Sequence, residues 1–146
     1  MRLRLTLVLV PAAALAAIDL AVNDAFSTNA WSFHERSRLW FALTAALAVV
    51  LFLLAMLPSR LAAVSVGIVA GGVLGNLLSA GEYGGRVPNP IIIGSFALNP
   101  ADIFVLAGVP VMVFALARVS IHNREHIDRL IPPRRWELSL RRLLGL

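Results

Sequence analysis

The stretch LWFALTAALAVVLFLLAMLPSRLAAVSVGIVAGGVLGNLLS, residues 39–79, holds two long apolar runs divided by a single turn at Pro58-Ser59-Arg60. Crossing roughly 30 Å of hydrocarbon takes about 20 mostly apolar helical residues, and 39–57 and 61–79 each meet that length. The first run is apolar throughout except for Thr44. A turn this short forces the second helix straight back along the first, so the pair is expected to form a helical hairpin.

Outward from this hairpin, 5–22 and 101–119 have the same character, giving an all-α integral membrane protein with four transmembrane helices. With 59% apolar and 14% charged residues in a chain of 146, the bilayer is the fitting solvent. The chain has no cysteine, which excludes disulfides, thiolate metal sites and cysteine nucleophiles. His34, His122 and His126 show no ligand spacing, so no metal or other cofactor is expected.

All 13 basic residues are arginine. Ten lie in the first residues, at Arg60 and after position 117; the two remaining loops carry only Arg36, Arg38 and Arg86. The positive-inside bias therefore predicts that both termini are cytoplasmic. A cleaved signal peptide is the rival reading of the first span, but its apolar stretch outruns a typical h-region and carries Asp19. The expected organisation is a four-helix membrane domain over 1–119 and a basic cytoplasmic tail over 120–146. In that tail Pro132-Pro133 precedes 136–146, where leucines alternate with Arg141 and Arg142. That segment reads as an interfacial or docking helix, or as a plain solvated tail. It suits an anionic leaflet rather than nucleic acid.

Polar side chains inside a span are costly and mark packing or functional sites. At 1.5 Å per residue, Asp19 lies about 21 Å along the first helix and Asn76 about 22 Å along the third. Ser79 stands one turn beyond Asn76, and Asn99 and Asp102 open the fourth helix at a similar depth. These five residues are predicted to converge. A packing network of hydrogen bonds, worth about 0.6 kcal/mol each, would account for the asparagines. Two carboxylates need compensating donors as well, which favours a pocket. Gly67, Gly71, Gly72 and Gly75 are expected to line one side of the third helix and admit a close neighbour.

The run Gly71-Gly72-Val73-Leu74-Gly75-Asn76-Leu77-Leu78 resembles the third-helix signature of lipoprotein signal peptidase (signal peptidase II). Asn99-Pro100-Ala101-Asp102 resembles that family's Asn-x-Ala-Asp signature, and Ile18-Asp19-Leu20 is similar to its first-helix aspartate. Asn29-Ala30-Trp31-Ser32-Phe33 resembles its first outer loop. The resemblance implies a bacterial inner-membrane aspartyl protease that removes signal peptides from lipid-modified prolipoproteins. Such chemistry takes two carboxyl groups, one activating water and the other, protonated, polarising the scissile carbonyl.

The chain departs from that pattern. Where the resemblance leads one to expect Asp-Arg after Gly75-Asn76-Leu77-Leu78, it has Ser79-Ala80, so the position of the first catalytic aspartate is Ser79 and Asp102 is the surviving dyad member. Arg86-Val87-Pro88-Asn89 stands near the place of a valine-valine-aspartate stretch, and Asn23 where a lysine is expected. The first outer loop reads as short for a substrate-holding sheet. Gly81 and Gly84-Gly85 are expected to end the third helix before Glu82, leaving that acid outside the site. No histidine or lysine lies at this depth to activate Ser79. The expectation is therefore a pseudoenzyme, a binding or accessory subunit whose groove takes a membrane lipid, a lipoprotein or signal peptide, or a helix of another membrane subunit. Asp19, Asn76 and Asn99 join Asp102 as its polar contacts. An active divergent peptidase, and a small carrier or proton relay built on Asp19 and Asp102, are the alternatives.

Overall fold

The computed structural model describes residues 2–57 and 59–123. Helix α1 is Arg2–Ala25, α2 Arg38–Ala55, α3 Arg60–Glu82 and α4 Pro100–His122. All four are long and apolar enough to cross a membrane. The segment 136–146 and the prolines at 132–133 lie outside the described residues.

Local signals set the helix ends. The hydroxyls of Ser37 and Ser59 accept the N–H groups of Trp40 and Ala62, three residues on, which caps α2 and α3. Contrary to expectation, α3 does not stop before Gly81 but includes Glu82, whose side chain is exposed. The stop comes at Gly84 and Gly85, with φ of 63° and 88°. The Gly85 N–H reaches back to the Ala80 carbonyl at 2.7 Å, a helix ending that relies on glycine's freedom at positive φ.

Most of α3 is buried, whereas the other three helices are exposed along most of their length, as suits the central element of a bundle. Leu43, Phe52, Leu106 and Phe114 are among the exposed apolar side chains that such a bundle presents to lipid. The glycines of α3 explain its central position. A β-carbon on Gly67, Gly71 or Gly75 would run into α1 at Pro11, at Ala12 and Leu15, and at Asp19 respectively. One on Gly72 would meet the Ala101 carbonyl and Val105 of α4. The four glycines thus do not share one side, because each residue turns the helix about 100° and Gly72 points away from Gly71. Helix α3 packs far more extensively on α1 than on its hairpin partner α2.

The connections are more structured than an all-α reading predicts. A short 3-10 turn, Ala30–Ser32, leads into β1 (Phe33–Glu35), which pairs antiparallel with β2 (Arg86–Pro88). Strands β3 (Ile91–Ile93) and β4 (Phe96–Leu98) form a second antiparallel pair. Three-residue strands carry too little alternation to be visible as a period in sequence. Their effect is positional: β1 and β2 tie the α1–α2 loop to the end of α3, and β4 delivers the chain into α4.

Candidate functional site

Four elements meet where α4 begins. Asn99 precedes the helix as its N-cap, and its Oδ1 accepts the Asp102 N–H at 2.8 Å. Its Nδ2 donates to Asn76 Oδ1 at 2.8 Å and, more weakly, to the Pro88 carbonyl at 3.4 Å. Asn76 in turn donates from Nδ2 to Asp102 Oδ1 at 3.0 Å. The three side chains close a ring through the Asp102 main chain. Pro100 suits the first helical position, where its missing N–H leaves nothing unsatisfied.

Asp19 anchors a second cluster beside this ring. Its Oδ1 accepts the Ala101 N–H of α4 at 2.8 Å. Its Oδ2 accepts the Ser79 hydroxyl at 3.2 Å and Asn23 Nδ2 at 3.0 Å, while Asn23 also lies 3.0 Å from Ser79 Oγ. Asp19, Ser79 and Asn99 are fully buried. A carboxylate here meets the free N–H groups and positive end of a helix, so α1, α3 and α4 are joined through one side chain. Gly75 leaves the space it occupies, since a β-carbon there would come within 3.0 Å of Asp19 Oδ2.

The five residues expected to converge do so, divided between two clusters. Ser79 belongs to the Asp19 cluster, and among the described residues no hydrogen bond joins it to Asp102. Asp102 lines a cavity of about 380 Å³ between α2, α3, α4 and β4, with Trp40, Thr44, Leu47, Val73, Asn76, Leu98, Val105 and Leu106. That volume falls in the ~300–1,000 Å³ range of small-ligand sites. The Thr44 hydroxyl bonds to the Trp40 carbonyl at 2.8 Å, which leaves the cavity wall largely apolar.

Sequence reasoning passed over three contributors. Asn23 stands four residues after Asp19, a spacing that puts both on one helix face. Arg36 stacks its guanidinium carbon 4.9 Å above the Trp40 ring, again at a separation of four. Burial pushes the Arg36 pKa below its ordinary value, and the charge of Asp102 opposes that shift. The third is a pair between β1 and the residue that follows β2, where Asn89 Nδ2 lies 2.6 Å from His34 Nδ1; its partners are 55 residues apart, and no spacing rule connects them. Among the described residues no three histidine or acidic side chains gather as a metal site.

The protein-family model described as signal peptidase (SPase) II matches residues 5–118. The chain belongs to the signal peptidase II family. Among curated proteins none matches it. A solved structure described as a bacterial membrane enzyme is similar in fold, with a TM-score of 0.59 at 16% identity, covering 73% of this chain and 90% of that one. Membership in the signal peptidase II family, together with four helices long enough to span, makes this a multi-pass bacterial membrane protein.

Proposed function

We propose that this member of the signal peptidase II family binds rather than cleaves, holding a lipid or lipid-modified segment in the cavity beside Asp102. One observation carries the reading: the two buried-site carboxylates are not paired. Asp19 engages both oxygens with Ala101, Ser79 and Asn23, whereas Asp102 accepts only from Asn76. An aspartyl protease needs two carboxyl groups sharing one water and one proton. Here a carboxylate bound by three donors stands on one side and a solitary one on the other. A role as an accessory subunit in the bacterial inner membrane, with both termini cytoplasmic and the basic tail as a docking element, fits the arginine distribution.

The test is direct. The full-length chain in lipid bicelles, incubated with a lipidated prolipoprotein, is expected to release no signal peptide. Cleavage that disappears in Asp102→Asn overturns the proposal. It would establish instead the second reading, an active peptidase in which Asp102 works with Asp19. That reading draws on the Asp19 bond to the N–H of Ala101, the residue adjoining Asp102, and on the electrostatic interaction between the two acids. Purification in mild detergent is expected to recover a stoichiometric membrane partner.

A further inference from the structure

We propose that the cavity selects a phospholipid whose headgroup is zwitterionic, with a phosphate and a primary ammonium, as in phosphoethanolamine. This rests on the binding function proposed above and names its ligand class. Asp102 lines the cavity, and Arg36 stacks on Trp40, another residue of its wall. Arg36 and Asp102 attract each other electrostatically, yet no ion pair joins them among the described residues. Arg36 Nε is buried without a hydrogen-bond partner, while the guanidinium stacks on Trp40 and the Arg36 main-chain N–H donates to the Gly85 carbonyl at 2.9 Å, which fixes the backbone from which the side chain extends. Asp102 uses Oδ1 on Asn76; its Oδ2 has no partner among the described residues. Trp40 and Asp102 both line the cavity, and the Arg36 guanidinium lies against the Trp40 ring, so in the proposed complex the phosphate is met by Arg36 and the ammonium by Asp102.

The rest of the lining is apolar. Trp40 to Leu47 on α2 is seven helical steps, about 10 Å of depth, and Val73, Val105 and Leu106 close the other sides. That shape takes the upper part of an acyl chain with the headgroup at the charged end. A phosphate makes planar, two-pronged bonds with a guanidinium. A ligand bringing phosphate alone would set its negative charge against Asp102, a like-charge placement that disfavours binding. A ligand that also brings an ammonium gives Asp102 Oδ2 a donor, beside the one Asn76 gives Oδ1. The Arg36–Asp102 separation thus reads the headgroup by its two charges, and the apolar walls bind chain without regard to headgroup.

The experiment is competition between phosphatidylethanolamine and phosphatidylglycerol for the full-length chain in neutral detergent, read by native mass spectrometry. Brominated acyl chains on each lipid give a second readout by quenching Trp40 in a Trp31→Phe, Trp136→Phe background. The wild type is expected to retain the ethanolamine lipid about tenfold over the glycerol lipid. Asp102→Asn is expected to abolish that preference while glycerol-lipid binding persists, and Arg36→Gln to weaken both. A purely structural effect would lower both lipids equally in Asp102→Asn, so a ratio unchanged from wild type in that variant overturns the proposal. Equal retention of the two lipids by the wild type, or a cavity that yields only peptide, does so as well. Cleavage of prolipoprotein by a preparation that still prefers the ethanolamine lipid would refute the binding-only function and leave the headgroup preference standing. A preparation without cleavage and without preference would do the reverse.

Discussion

Asp19 bonds to Ala101, the residue of α4 that precedes Asp102, yet the two acids occupy opposite situations. Asp19 is fully buried and meets three donors drawn from α1, α3 and α4. Asp102 is half-buried and accepts one side-chain bond from Asn76. The difference lies in the surroundings: one carboxylate completes the packing of three helices, and the other faces a cavity. A carboxylate with every oxygen engaged holds structure, whereas one with an oxygen free has capacity for a ligand.

The largest expected effect separates the two acids by stability. Asp19→Ala strands the Ala101 N–H and the Ser79 hydroxyl in a buried site, leaves the Asn23 amide only its bond to Ser79, and is expected to cost about 3 kcal/mol or more. Asp102→Ala strands only one amide beside a cavity, at about 1 kcal/mol. Thermal unfolding of both variants in the same detergent measures the difference. Comparable losses would show that the two carboxylates do the same job.

A middle effect tests which acid Ser79 accompanies. Ser79→Asp would set a second carboxylate against Asp19, since the Ser79 hydroxyl bonds to Asp19 and Asn23 rather than to Asp102. The expected outcome is a loss of about 2 kcal/mol, within the usual span for a buried-site substitution, and no prolipoprotein cleavage. Cleavage by this single variant would show that position 79 reaches the Asp102 side and would merge the two clusters into one site.

This division marks where sequence reading stops. The four helices are legible because each is a long apolar run, and the convergence of Asp19, Asn76, Ser79, Asn99 and Asp102 follows from counting residues along them. Which polar group bonds to which does not follow, because a rise of 1.5 Å per residue gives depth and says nothing of the direction a side chain takes around the helix. The same ambiguity placed Gly72 with Gly67, Gly71 and Gly75, when it faces α4 and they face α1. The β1–β2 pairing was hidden for another reason: strands of three residues whose partners lie 51 to 55 positions apart leave no local pattern. Arg36, read only as a loop charge, becomes part of the site through that pairing and through its stacking on Trp40.

The smallest effect is expected at Glu82, the acid closest in sequence to Ser79. It lies on the last residue of α3, three positions after Ser79, and because α3 continues to that point its direction is defined by the helix. Three residues rotate a helical side chain by about 300°, so Glu82 could share a face with Ser79. It is nonetheless exposed, one turn past the buried positions. Glu82→Gln is therefore expected to shift unfolding by no more than about 0.5 kcal/mol and to leave lipid retention as in the wild type. A clear change in the ratio of retained lipids would mean that Glu82 supplies Asp102 with a second charge. The contrast between one fully engaged acid and one free acid would then have to include a third.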